Sequence, residues 1–222
     1  MKRLSLTLFA GAAVAAVTLA VACSDSTSPR AGSGTLAVRL TDAPFSSDSV
    51  SSVDIFVVRV DGRVASADDA AANDALTDPN AAAAGWQTIA TPNASYDLLA
   101  LQNGTTVALG DGDLAAGTYN GFRLIIDPSK SSVTLKNGQV LSGTTTPNVS
   151  FPSGAATGIK IVLAQPVTID AGATTNLLLD FKVNDSFFMR GNSMSQNGLV
   201  FKPVIQASIT NTGTTTASTT TP

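Results

Sequence analysis

The sequence contains no histidine and no glutamate, and all 16 of its acidic residues are aspartate. Histidine is the usual general base of hydrolytic enzymes and a common metal ligand. Its absence therefore excludes a Ser-His-Asp or Cys-His mechanism carried by this chain alone. Zinc sites built from histidine and cysteine are excluded for the same reason. Aspartate-based acid–base chemistry, lysine or tyrosine chemistry, and a cation such as Ca²⁺ held by oxygen ligands remain open.

Cysteine occurs once, at Cys23, so no disulfide can form within the chain. It follows a positively charged start, Lys2 and Arg3, and an apolar run over residues 4–22 that ends in small residues. This arrangement is typical of a bacterial lipoprotein signal, in which residues 1–22 are removed and the Cys23 thiol is lipidated. Ser24 after the cysteine favours the outer membrane as the destination. A transmembrane helix over residues 4–22 is the alternative, because the run is close to spanning length.

The predicted mature chain is mildly acidic. Cleavage removes Lys2 and Arg3 but no acid, which leaves 11 basic residues against 16 acidic ones in 200 residues. This length suits one domain. The acidity argues against nucleic acid as a partner, because nucleic acid requires a basic surface. We expect the membrane as a partner through the lipid, together with a glycan or an envelope protein.

Composition divides the mature chain into three parts. Residues 23–33 read as the lipidated cysteine and a flexible tether rich in serine and glycine. Residues 34–209 form the predicted domain. The threonine-rich residues 210–222 are predicted to form a disordered tail. An alanine- and aspartate-rich insert at 65–85 interrupts the domain. We expect it to be a surface loop, with a short helix over residues 68–76 as the alternative.

Apolar residues recur at every second position along most of the domain, which indicates strands with one buried face. The predicted strands are Leu36–Leu40, Phe122–Ile126, Ile159–Leu163, Leu177–Val183 and a last strand from Leu199 to Ile209. Val53–Val60 is apolar on nearly both faces, which favours a central strand. Hairpin turns are predicted at Asp61-Gly62, Asn103-Gly104 and Asn137-Gly138. The pattern predicts an all-β fold, an antiparallel β-sandwich.

Asp111 and Asp113 are the candidate metal ligands. They alternate with glycine over residues 110–113, and two aspartates at this spacing can share a Ca²⁺ ion. A calcium loop needs more oxygen ligands than this pair supplies, so a turn between strands is the simpler interpretation. No other cofactor is expected.

Four further aspartates are candidates for chemistry or binding: Asp42, Asp97, Asp127 and Asp180. A glycosidase needs two carboxylates roughly 5–9.5 Å apart in a cleft, and the sequence places no two of these together. Each also has a structural interpretation. Asp42 suits a turn, and Asp127 suits an extended residue held before Pro128. Asp97 suits a strand start, and Asp180 suits the polar face of a strand.

Phe187 and Phe188 are the candidate aromatic binding residues. They follow a predicted strand and precede the polar loop 191–198. They form either a contact site or a plug in the core, and we favour the plug. Trp86, Tyr96 and Tyr119 could complete a sugar-stacking face, although core packing is the usual role of such residues.

The residues from Gly34 to Pro44, Gly-Thr-Leu-Ala-Val-Arg-Leu-Thr-Asp-Ala-Pro, resemble the opening of the bacterial domain of unknown function 4382. The resemblance continues in order through 97–104, 114–119, 123–126, 158–160, 178–181 and 201–205. It implies an exported, often lipid-anchored protein with a β-sandwich and carries over no catalytic residue. The stretch 114–119, Leu-x-x-Gly-Thr-Tyr, is similar to transthyretin-like and collagen-adhesin B-type sandwiches. An immunoglobulin-like Greek key is the alternative.

These observations predict a lipid-anchored protein of the cell envelope. Its β-sandwich would be a non-catalytic module that binds a glycan or protein or has an adhesive or structural role. The alternative is an aspartate-dependent polysaccharide hydrolase.

Overall fold

The computed structural model describes residues 32–43, 48–65, 86–151 and 158–212. The predicted signal segment, Cys23, nearly all of the tether and of the 65–85 insert, and the residues after Thr212 lie outside the described residues. Within the described ranges, no helix combines the length and the apolar character needed to cross a bilayer.

Fourteen strands account for most of the described residues. They are β1 Ser33–Asp42, β2 Val50–Val64, β3 Trp86–Ala90, β4 Ala94–Asp97, β5 Val107–Ala115, β6 Gly117–Ile126, β7 Ser132–Leu135, β8 Val140–Ser142, β9 Val149–Ser150, β10 Ile159–Ile169, β11 Thr174–Phe181, β12 Phe187–Met189, β13 Leu199–Phe201 and β14 Ile205–Thr212. A 3₁₀ helix, Leu98–Leu101, and two single-turn helices, α1 Val183–Ser186 and α2 Met194–Asn197, complete the described structure.

The strands form three sheets. The first has the order β14-β11-β1-β5, and the second has the order β10-β6-β2-β7-β8 with β3 and β4 also paired to β2. The third, smaller sheet has the order β12-β13-β9. Most pairs are antiparallel, but β1 pairs with β11 and β13 with β9 in parallel. The predicted all-β class is confirmed, and the packed, mainly antiparallel sheets agree with a sandwich.

One hydrophobic cluster joins the sheets. In β1 and β11 the alternation predicted from sequence places every second side chain in this cluster. In both strands these side chains are buried: Leu36, Val38, Leu40, Leu177, Leu179 and Phe181. From the second sheet, buried residues of β2 and β6 enter the same cluster. β2 is the predicted central strand and pairs with four other strands.

The turn predicted at Asp61-Gly62 is wrong, because β2 continues through both residues to Val64. Asp61 lies opposite Arg123 of β6, and their side chains form an ion pair. Gly62 lies opposite Phe122, and a Cβ at this glycine would come within 3.0 Å of that ring. Glycine therefore serves close packing here and not a turn.

The other two predicted turns are present. Asn137-Gly138 lies in the loop between β7 and β8, with Gly138 at φ 86°. Asn103 and Gly104 both adopt positive φ, 59° and 82°. The residues before this second turn, however, form the 3₁₀ helix and not the predicted strand.

The predicted last strand is divided in two. β13 ends at Phe201 and β14 begins at Ile205, because Pro203 has no N–H to donate to a ladder. Val183 was predicted at the end of a strand, but it begins α1 and is nevertheless fully buried.

Candidate functional site

An open groove of about 630 Å³ lies where β10, α1, β12 and the link between β13 and β14 meet. We call it the Phe188 groove. Its lining residues are Gly158, Ile159, Lys160, Asp185, Phe188, Lys202, Pro203 and Val204. These come from widely separated parts of the sequence, so the fold is needed to bring them together.

The two phenylalanines of β12 point in opposite directions, as expected for neighbours in a strand. The Phe187 ring lies 4.9 Å from the ring of Phe201, which is itself buried in the core. Phe188 lines the groove and is 49% exposed. Phe187 therefore packs against the core, as the plug interpretation predicts, whereas Phe188 is open to solvent.

Ser186, the last residue of α1, fixes the groove wall formed by residues 202–204. Its hydroxyl donates to the Lys182 carbonyl at 2.6 Å and accepts from the Val204 N–H at 2.9 Å. Its carbonyl accepts from the Lys202 N–H at 2.7 Å. Because Ser186 is fully buried, these hydrogen bonds hold the wall in one position relative to α1.

Three charged side chains line the groove: Lys160, Lys202 and Asp185. The Lys202 ammonium lies 5.5 Å from the centre of the Phe188 ring. Among the described residues, none of the three is in an ion pair. The groove therefore presents two ammonium groups and one carboxylate beside an exposed aromatic ring.

Two candidate aspartates, Asp42 and Asp180, come together at the ends of β1 and β11. Asp42 is 3% exposed and accepts hydrogen bonds from the Val183 N–H at 3.1 Å and from the Gln102 amide at 3.4 Å. Burial raises the pKa of Asp42 to about 6, and the nearby Asp180 charge acts in the same direction. The turn predicted at Asp42 is wrong, because this residue ends β1.

The two carboxylate oxygens of Asp180 have different surroundings. One oxygen pairs with the Lys182 ammonium at 2.5 Å. The other is buried and has no hydrogen-bond partner in the part of the chain that the structure describes. Burial is the main cause of the raised pKa of Asp42, and the Asp180 charge adds to it.

Asp97 and Asp127 have structural roles elsewhere. The strand start predicted at Asp97 is wrong, because this residue ends β4. It caps the 3₁₀ helix by accepting from the Leu99 N–H at 3.1 Å. The Asp127 side chain accepts from the Ser129 hydroxyl and N–H, which lowers the pKa of Asp127. Asp127 therefore lies between the end of β6 and the turn that begins at Pro128, and its side chain stabilises that turn.

Asp111 and Asp113 lie in β5 and not in the predicted turn. Both are exposed, and Asp113 accepts from the Thr35 hydroxyl at 3.1 Å. The described residues contain no group of three side chains of the kinds that could hold a metal ion. The Ca²⁺ hypothesis stays a prediction, which thermal melts with and without a chelator would test.

A buried charge cluster was missed by the sequence analysis. The Arg123 guanidinium lies 2.8 Å from an Asp61 oxygen, which Arg59 also contacts at 3.0 Å. Arg123 also lies over the Trp86 ring, 4.5 Å from its centre. The signal in the sequence is Asp61, a single aspartate within an apolar stretch. Together with Gly62 it predicts a turn and not a buried ion pair.

The remaining aromatic candidates do not form an exposed sugar-stacking face. Trp86 and Tyr119 are buried, and Tyr96 is half-buried against the core. Among the aromatic side chains singled out from the sequence, Phe188 is the exposed one.

No curated protein and no solved structure is significantly similar to the chain. A family described as a domain of unknown function, DUF4382, matches residues 33–203. The match begins at the first residue of β1 and ends before β14, and it includes every residue that lines the Phe188 groove except Val204. It covers well over half of the chain, in agreement with the resemblance seen in the sequence, and the chain therefore belongs to the DUF4382 family.

Proposed function

We propose that this protein is an exported, lipid-anchored envelope protein whose β-sandwich binds glycans in the Phe188 groove without catalysis. The observation that carries the proposal is the half-exposed Phe188 ring in a groove with three charged side chains, none of which forms an ion pair with another described residue. The C–H face of a sugar ring stacks on such an aromatic ring. The surrounding ammonium and carboxylate groups supply hydrogen bonds to hydroxyls.

The proposed anchor rests on the sequence around Cys23. A positively charged start, an apolar run and a cysteine after small residues are the features of a lipoprotein signal. Mass spectrometry of the purified protein tests this proposal. We expect the mature chain to begin at Cys23 with the mass of attached acyl chains, and Cys23→Ala to lack them. A full-length, unacylated chain would contradict the proposal.

The non-catalytic assignment rests on the residue types present. The chain has no histidine or glutamate. Asp42, whose pKa burial raises to about 6, is almost completely buried. Its carboxylate is also occupied by the Val183 N–H and the Gln102 amide. A buried and occupied carboxylate has little access to a polysaccharide.

An aspartate-dependent polysaccharide hydrolase is the second candidate, and the neighbouring carboxyls of Asp42 and Asp180 favour it. Two neighbouring carboxyls in one site are the arrangement that glycosidases use. Release of reducing ends from a polysaccharide panel separates the two functions. A hydrolase would release them and lose this activity in Asp42→Asn and Asp180→Asn, whereas a binding module would release none.

Glycan binding is tested with the full chain in detergent on a glycan array, followed by titration of the best ligands. We expect Phe188→Ala to lose most of the affinity, because it removes the stacking surface. Val140→Ala is the matched control, since Val140 is 47% exposed but does not line the groove. Equal binding by Phe188→Ala and the unmodified protein would exclude the groove as the site.

A further inference from the structure

We propose that the ligand of the Phe188 groove is an acidic glycan, whose carboxylate is bound by Lys160 and Lys202 while a sugar ring lies against Phe188. This inference rests on the proposed function and adds the charge of the ligand. It concerns glycans that carry uronic acids, as opposed to neutral polysaccharides.

The first argument is the distribution of charge. The chain as a whole has a net charge of −3, yet the groove holds two lysines against one aspartate. Among the described lysines, three form no ion pair with a carboxylate: Lys136, Lys160 and Lys202. Two of these three line the same groove. An acidic protein therefore presents a locally positive groove, which suits an anionic ligand.

The second argument is the position of the two ammonium groups. Lys160 belongs to β10, and Lys202 belongs to the link after β13. The Lys202 backbone is held by the hydrogen bond from its N–H to the Ser186 carbonyl. Its ammonium lies 5.5 Å from the centre of the Phe188 ring, so the aromatic surface and the positive charge are adjacent. A uronic acid presents a C–H face and a carboxylate on the same ring, which matches this pairing of groups.

The third argument is the role left for Asp185. This side chain is exposed at the groove, and no described cation pairs with it. A carboxylate accepts hydrogen bonds from sugar hydroxyls, whereas it repels a second anion. Asp185 therefore favours an orientation in which hydroxyls face α1 and the ligand carboxylate faces the lysines.

The test compares polyuronates with their carboxyl-reduced, neutral counterparts, using polymers of galacturonic, glucuronic and mannuronic acid. Binding to the full chain in detergent is measured by calorimetry at low and high salt. We expect at least one acid polymer to bind about tenfold more tightly than its neutral counterpart, with an affinity that falls as salt rises. Lys160→Gln and Lys202→Gln should each weaken that binding about tenfold. Lys136→Gln, a matched unpaired lysine outside the groove, should leave it unchanged.

The outcomes separate this inference from the proposed function. Equal binding of an acid polymer and its neutral counterpart, abolished by Phe188→Ala, would overturn the charge requirement and leave glycan binding standing. Weakening by Lys136→Gln equal to that by Lys160→Gln would show general charge attraction and also overturn the inference. If no acidic or neutral glycan binds, both proposals fall.

Discussion

Asp42 is a carboxyl group that folding removes from water without giving it a cation. Burial is the main reason that its pKa lies near 6 and not at 3.8. The hydrogen bonds from Val183 and Gln102 oppose the shift, whereas the Asp180 carboxylate adds to it. The nearby ammonium group of Lys182 pairs with Asp180. Ionised Asp42 is therefore less stable in the folded chain than in the unfolded chain.

The consequence is a loss of stability as pH rises. Between about pH 4 and pH 6 the folded state holds a proton that the unfolded state has lost, so the free energy of unfolding falls by up to about 3 kcal/mol. Asp42→Asn keeps an acceptor for the Val183 N–H but cannot ionise. We expect this variant to be about 1–3 kcal/mol more stable at pH 7 and nearly insensitive to pH in this window.

Urea unfolding measured from pH 4 to pH 7.5 checks this expectation. Asp111→Asn is the control, because Asp111 is exposed and should leave the pH dependence as it is in the unmodified protein. An Asp42→Asn variant with the unmodified pH dependence would contradict the assignment.

Two arginines share the Asp61 carboxylate. They allow the contribution of an ion pair to stability to be compared at two degrees of burial. Arg123 is 1% exposed and Arg59 is 27% exposed, at similar distances from the same oxygen. Removing a buried partner leaves an uncompensated charge in the interior, whereas removing an exposed partner leaves water in its place.

We therefore expect Arg123→Met to lower the free energy of unfolding by about 3–5 kcal/mol and Arg59→Met by less than about 1 kcal/mol. Chemical denaturation at neutral pH measures both. Equal losses from the two variants would show that burial does not govern this pair. Trp86 fluorescence provides a local readout, since the Arg123 guanidinium lies over its ring.

At the scale of elements, α1 is short but connects the end of β1 to residues 202–204. The Asp42 carboxylate at the end of β1 accepts from its first N–H, and Ser186 at its other end holds residues 202–204. The groove wall is thus attached to the core of the first sheet through one helical turn.

Ser186→Ala tests this connection without altering a side chain that lines the groove. The Val204 N–H would lose its acceptor, so we expect a loss of about 1–2 kcal/mol in stability. If the groove binds glycans as proposed, we also expect its affinity for them to fall, because Val204 and Lys202 are held less firmly. Ser208→Ala, on the exposed face of β14, is the control. Unchanged affinity in Ser186→Ala would show that this serine supports the fold alone.

Local signals were sufficient for most strands but not for every turn. Period-two alternation in β1, β6 and β11 is a property of each segment and could be seen in the sequence. Asn137-Gly138 and Asp61-Gly62 have the same turn chemistry, yet the second lies inside β2. Arg123 and Phe122 decide that difference, and they lie about sixty residues away. No short-range pattern contains this information.

One residue of the candidate site, Phe188, could be predicted from the sequence. The residues that surround it in the groove could not. The sequence singled out Phe188 because it precedes a polar loop. No sequence pattern distinguishes Lys160 or Lys202. Lys160 is a single charged residue within β10, and Lys202 is one directly after β13. They meet because β10 and the link after β13 come together, which depends on the order of strands in the sheets.

At the scale of the whole molecule, the folded unit extends beyond the family match. The match ends at residue 203, whereas β14 continues to Thr212 and pairs with β11 along eight positions. β14 is hydrogen-bonded along one edge of β11, and every second residue of β11 belongs to the core. Three residues that were predicted to belong to a disordered tail therefore lie in this strand.

Truncation distinguishes strand from tail. A chain ending at Val204 loses β14 and exposes the edge of β11, so we expect a large drop in melting temperature and aggregation. A chain ending at Thr212 should keep the melting temperature of the full chain. Thermal unfolding with size-exclusion chromatography measures both variants. Full stability of the shorter chain would show that β14 contributes little to the fold.

The first strand lies in the interior of its sheet, with β11 on one side and β5 on the other. A pull on the N-terminal end of the chain acts along this strand, so the hydrogen bonds to both neighbours bear the force together. Shearing two ladders at once resists a load far better than peeling an edge strand one bond at a time. A domain anchored at Cys23 would therefore keep its shape under the drag of flow or of a bound polymer.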